Sequence, residues 1–91
     1  VLNTAKVPAG ASMAVFGAGG IGLNVVQGGR IAGAHPIIAV DVRANKLEYA
    51  QSLGASHVVD ASREDPIEAI KRITGRGADY SFVAVGDTRA I

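Results

Sequence analysis

A chain of 91 residues has room for one domain, and at this size about two thirds of the unfolded surface is buried on folding, so little stability is spare. Nine Lys and Arg against eight Asp and Glu leave a formal charge of +1, without the basic footprint of a nucleic-acid or anionic-lipid binder. Aromatics at 4% argue against a base-stacking surface, and the absence of cysteine excludes disulfides and thiolate metal sites. No apolar run is long enough for a bilayer and no signal peptide opens the chain, so we expect a cytoplasmic protein with no nucleic acid and no membrane among its partners. Val1 is not an initiator residue, and Ile91 follows what reads as the first turn of another helix; both suggest a piece of a longer protein.

In chain order, Val1 to Lys6 reads as the end of a helix, and Val7-Pro8-Ala9-Gly10 as a turn. Ser12 to Phe16 is the first predicted strand, followed at once by Gly17-Ala18-Gly19-Gly20-Ile21-Gly22. From Gly20 to Ala32, residues Gly22, Val25, Val26, Gly29 and Ala32 recur three and four apart and predict one buried helix face. Gly28 and Gly29 lower helix propensity by about 1 kcal/mol each relative to alanine, which makes close approach to a sheet their natural explanation. Gly33 is placed to end the helix in a left-handed conformation. His35 is a surface loop residue, and Ile37-Ile38-Ala39-Val40 predicts the second strand, closed by Asp41.

A second helix runs to about Leu53, with Leu47, Ala50 and Leu53 on one face and Gly54 as its stop. His57-Val58-Val59 is a short third strand, with His57 at its edge, and Asp60 to Glu64 a polar loop. Asp65-Pro66-Ile67-Glu68 is a strong helix start, with an N-cap carboxylate, proline at the first helical position and an acid three residues after the cap. Ile67, Ile70 and Ile73 form its expected buried stripe. Gly75-Arg76-Gly77 turns into a fourth strand, Asp79 to Val85, ended by Gly86, with Asp87 or Thr88 to cap a further helix. Strands alternating with helices imply an α/β Rossmann fold: a partial doubly wound parallel sheet of order 3-2-1-4, truncated after its fourth strand, with residues 1–91 one dinucleotide-binding domain fragment.

The glycine cluster carries the chemistry. A G-x-G-x-x-G pattern gains weight only when a strand precedes it, a helix follows it and an acid ends the next strand about 20 residues on. Here all three conditions are met. The first glycine lets the chain reverse, the second lets a pyrophosphate approach the main chain, and the third lets helix and strand pack closely. Amide donors at the helix N-terminus face the phosphates. Asp41 would accept hydrogen bonds from both hydroxyls of an adenosine ribose, and its charge opposes a 2′-phosphate, so NAD is the expected cofactor. Lys46 can reach the same ribose, Val42 lies beside it, and Arg43 weakens the argument against a 2′-phosphate. Val85 and Gly86 should approach the cofactor where the strand order reverses.

The run from AKVPAGASMAVFGAGGIG to QSLGASHVVD resembles the coenzyme domain of zinc-containing medium-chain alcohol dehydrogenases, and within them the formaldehyde and aryl-alcohol dehydrogenase branch. Its specific marks are G-x-G-G-x-G, the acid at the end of the second strand, the K-L-x-x-A-x-x-L-G-A run from Lys46 to Ala55, and G-A-D before the fourth strand. The resemblance implies that Gly17, Gly19, Gly20, Ile21 and Gly22 form the pyrophosphate turn, that Asp41 and Lys46 contact the adenosine ribose, and that Val85 and Gly86 lie beside the nicotinamide-side ribose. It implies hydride transfer between NAD and a small alcohol or aldehyde in a homo-oligomeric parent enzyme. A catalytic zinc is held there by cysteine and histidine in another domain. This chain lacks cysteine, and neither His35 nor His57 falls on a ligand position, so the expected catalytic and metal residues of the chain are none and the fragment alone should be inactive.

Two other readings use similar parts. A non-catalytic nucleotide-sensing Rossmann regulatory domain has the same strand, glycine turn and acid. A methyltransferase core would want glycine where Ile21 stands. Short-chain reductases are disfavoured, because their glycine spacing differs and no tyrosine lies four residues before a lysine.

Overall fold

Alternation along the central strands sets up the architecture. In the computed structural model, which describes residues 7–17 and 19–83, the elements follow as β1 (Met13–Phe16), α1 (Gly20–Ala32), β2 (Ile37–Asp41), α2 (Ala44–Leu53), β3 (His57–Asp60), α3 (Pro66–Thr74) and β4 (Tyr80–Val83). The strands form a parallel sheet of order β3-β2-β1-β4, as expected from the sequence. Met13, Val15, Ile37 and Ala39 point to one face, where Val25, Val26, Leu47 and Ala50 of α1 and α2 cover them. Ala14, Ile38 and Val40 point to the other, against Ala69 and Ile70 of α3. Period-two alternation with apolar side chains on both faces is what a sheet covered on both sides demands.

The helix ends follow local chemistry. Gly33 ends α1 at φ 85°, and Gly75 ends α3 at the same angle; a side chain at either would be strained. Asp65 caps α3, its carboxylate accepting from the Ile67 and Glu68 amides at 2.9 and 3.4 Å, with Pro66 in the first turn. The stripe of α3 differs from the expected one. Ile70 is buried and Ile73 half-buried, but Ile67 is 51% exposed and Ala69 takes the inner place. A strict spacing of three slips about 60° around the helix at each step, which carries the first of three such residues off the packed face.

The two ends of the chain's described part are tied at the base of the sheet. Ser12, the predicted start of the first strand, lies just before β1, which begins one residue later at Met13. Its amide donates to Asp79 Oδ2 at 3.0 Å, while the Asp79 amide donates to Ser12 Oγ at 2.8 Å. This exchange sets β4 beside β1. The Asp79 carboxyl is held below the usual carboxylate range, first by the Ser12 amide, with the Ser12 hydroxyl and Arg76 adding to it against partial burial. The expected strand residues beyond Val83, and the caps at Asp87 or Thr88, lie outside the described residues.

Candidate functional site

Parallel pairing brings the glycine turn and the acid together. Phe16, the last residue of β1, pairs with Val40, so Gly17 leaves the sheet beside Asp41. The Gly17 amide donates to the Val40 carbonyl at 2.7 Å, and Gly17 adopts φ 97°, the left-handed region in which a β-carbon is strained. The chain then enters α1 through Gly19, an extended N-cap residue that makes no side-chain capping bond. The first amides of any helix lack intrahelical acceptors, and here neither a capping side chain nor an acid in the first turn answers them. At Gly19 and Gly20 an added β-carbon would meet nothing within 4 Å, so the surface before the turn is open backbone. Gly22 is buried, where α1 crosses the sheet, and Ile21 is 49% exposed at the helix start.

Close packing downstream keeps α1 in place. At Gly29 a β-carbon would collide with Met13 Sδ and lie 2.7 Å from Met13 Cε, which explains glycine there as a contact with β1.

Asp41 ends β2 with its side chain only 4% exposed. Its Oδ1 accepts from the Val42 amide at 2.7 Å and the Arg43 amide at 2.9 Å, so the backbone itself orients the carboxylate. Arg43 adds a fork: Nε donates to Oδ1 and Nη2 to Oδ2, each at 2.9 Å. The carboxylate raises the Arg43 pKa, chiefly through these hydrogen bonds and then through its charge. Val42 is 59% exposed, and Lys46 is half-buried in the first turn of α2. Val85 and Gly86 lie outside the described residues.

Two features are not evident from the motif. One is the Arg43 fork on Asp41, for which the signal was the cation two residues from the carboxylate. The other is Asp60, which pairs in register with Asp41 at the end of β3. Its pKa is lowered, first by the Ser62 hydroxyl, which donates to Oδ1 at 2.5 Å, and by the Ser62 amide at 2.9 Å. His35 and His57 are both exposed; the His57 ring meets Ser56 Oγ at 2.9 Å. Among the described residues no group of three or more His, Cys, Asp or Glu could hold a metal ion, and no helix is long and apolar enough to cross a membrane.

Known proteins share this chain's sequence and fold. The chain is 47% identical over its full length to an S-(hydroxymethyl)glutathione dehydrogenase of Synechocystis, and 43% identical over 94% of its length to alcohol dehydrogenase-like 6 of Arabidopsis thaliana. It spans about a quarter of each: 25% and 23%. Among solved structures, an alcohol dehydrogenase zinc-binding domain protein from Burkholderia ambifaria superposes with a TM-score of 0.88 at 44% identity, over 92% of this chain and 23% of that one. Benzyl alcohol dehydrogenase from Acinetobacter calcoaceticus gives 0.87 at 38% identity, over 97% and 24%. The family model described as zinc-binding dehydrogenase matches residues 20–91, from the first turn of α1 onward, and the chain belongs to that family.

Proposed function

We propose that residues 1–91 form the dinucleotide-binding unit of a longer zinc-dependent alcohol dehydrogenase, and that this unit holds NAD. The observation that carries the reading is the pairing of Gly17 with the end of β2. It sets an open glycine turn at a helix N-terminus beside a buried carboxylate whose direction is fixed by the backbone. Such a turn receives a pyrophosphate through amide donors, and the carboxylate receives a ribose diol. The residues that would hold the cofactor are Gly17, Gly19, Gly20, Ile21, Gly22, Asp41, Val42 and Lys46, with Val85 and Gly86 toward the nicotinamide. Bound NAD supplies the hydride acceptor for an alcohol, or the donor for an aldehyde in its reduced form. The zinc of the parent enzyme would be held outside this chain, which has no cysteine, so the chain alone binds cofactor without turnover. Names among the relatives and neighbours, S-(hydroxymethyl)glutathione dehydrogenase and benzyl alcohol dehydrogenase, support a small alcohol or aldehyde adduct as substrate. We place the parent enzyme in the cytoplasm as a homo-oligomer.

The test is a thermal titration of the protein with NADH and, separately, with S-adenosylmethionine. A ligand at a hundredfold excess over its Kd stabilises a fold by about 2.7 kcal/mol, enough for a clear rise in Tm. NADH should give that rise and S-adenosylmethionine none; an unchanged Tm with NADH would overturn the assignment. Asp41→Gly should then erode the preference for NADH over NADPH, since it removes the negative charge that opposes a 2′-phosphate. Unchanged selectivity in that variant would refute the ribose role of Asp41.

A further inference from the structure

The Asp41 carboxylate is oriented twice over. Two backbone amides, those of Val42 and Arg43, already fix Oδ1 at 2.7 and 2.9 Å. The Arg43 fork is therefore not needed to aim the group. It places one guanidinium nitrogen on each carboxylate oxygen, Nε on Oδ1 and Nη2 on Oδ2. A vicinal diol engages a carboxylate in the same way, with one donor to each oxygen. Both cannot occupy that side at once. The Arg43 side chain is 53% exposed, and α2 begins at Ala44 without using it as a side-chain cap, so it can leave without disturbing the helix.

Resting on the reading of Asp41 as the ribose acid, we propose that Arg43 is a specificity-determining latch: its guanidinium competes with the adenosine ribose diol for Asp41 and, once displaced, offsets the repulsion of a 2′-phosphate. The two halves act in opposite directions on the two cofactors. For NAD the latch is a competitor and weakens binding. For NADP the same cation neutralises the carboxylate beside the phosphate and can pair with it, which strengthens binding. Arg43 thereby narrows a discrimination that Asp41 alone would make wide.

The experiment measures Kd values for NADH and NADPH, by cofactor fluorescence and by calorimetry, on the protein and on Arg43→Ala and Arg43→Lys. Arg43→Ala should tighten NADH about two- to fivefold, the range of a solvent-screened pair, since the guanidinium that would leave is half-exposed, and weaken NADPH by a similar factor. Arg43→Lys keeps the charge but loses the fork, so it should tighten NADH less and leave NADPH close to the starting value. Opposite movement of the two Kd values is a result that general loosening of the fold cannot produce. A parallel change in both, no change in their ratio, or weaker NADH binding by Arg43→Ala would overturn the latch while leaving the dinucleotide site standing. Failure of the protein and both variants to bind either cofactor would overturn the site and the latch together.

Discussion

At Gly19 a β-carbon would meet nothing within 4 Å, whereas at Gly29 it would run into the Met13 thioether. The same residue type thus faces open space at one position and a packed core side chain at the other, and substitution separates the two. Gly29→Ala gains about 1 kcal/mol in helix propensity but overpacks a fully buried methionine, at a cost of about 1–3 kcal/mol, so the net effect should be destabilisation. Gly19→Ala, at φ −80° and facing open space, should leave stability within about 0.5 kcal/mol and weaken NADH binding severalfold. Urea unfolding reads the first pair of numbers and fluorescence titration the second. Equal stability of the two variants would remove the Met13 contact as the reason for Gly29. Unaltered NADH affinity in Gly19→Ala would remove the pyrophosphate from that surface.

At the scale of elements, β4 is the exposed member of the sheet. It pairs with β1 on one side, and among the described residues no strand covers its other side. Val83 is 67% exposed on it, and Tyr80 is exposed as well. A row of unpaired backbone groups flanked by apolar side chains is a template for strand addition. The 91-residue chain on its own should therefore associate through this edge as its concentration rises, and Val83→Lys should reduce the association. Light scattering against concentration checks both; a monomer at high concentration before any substitution would contradict the edge as an association surface. By contrast, β3 at the opposite side has the same length as β4 but carries exposed His57 and polar Asp60, which discourage pairing.

For the whole molecule, the paired hydrogen bonds between Ser12 and Asp79 join the start of β1 to the start of β4 across a sequence separation of 67. The Asp79 carboxyl titrates below its ordinary value of 3.8 in the fold, because the ionised form accepts the Ser12 amide. A depressed folded pKa means a contribution that is complete above the unfolded value and is lost as pH falls through the folded one. Asp60 acts in the same sense through Ser62. Stability should hold from neutrality down to about pH 4 and then fall with increasing acidity. In Asp79→Asn the fall should be shallower and the starting stability lower, since the amide keeps an acceptor but no charge. Urea midpoints measured between neutrality and strong acid decide this; an unchanged slope would exclude Asp79 as a source of the acid sensitivity.

Much of this fold was legible before any coordinates, because the deciding interactions are short in sequence. The left-handed glycines at 17, 33 and 75, the Asp65 cap and the two-residue alternation in β1 and β2 each act within a few residues. Together they set the elements and their alternation, from which the parallel order 3-2-1-4 and the neighbourhood of the glycine turn and Asp41 were expected. Tertiary structure decided what depends on approach through space. It chose Ala69 over Ile67 for the core because the sheet surface, not spacing alone, sets which side of α3 is inward. It matched Ser12 to Asp79, and it laid Arg43 across Asp41, a contact that the chain permits locally but that only the buried end of β2 holds in place.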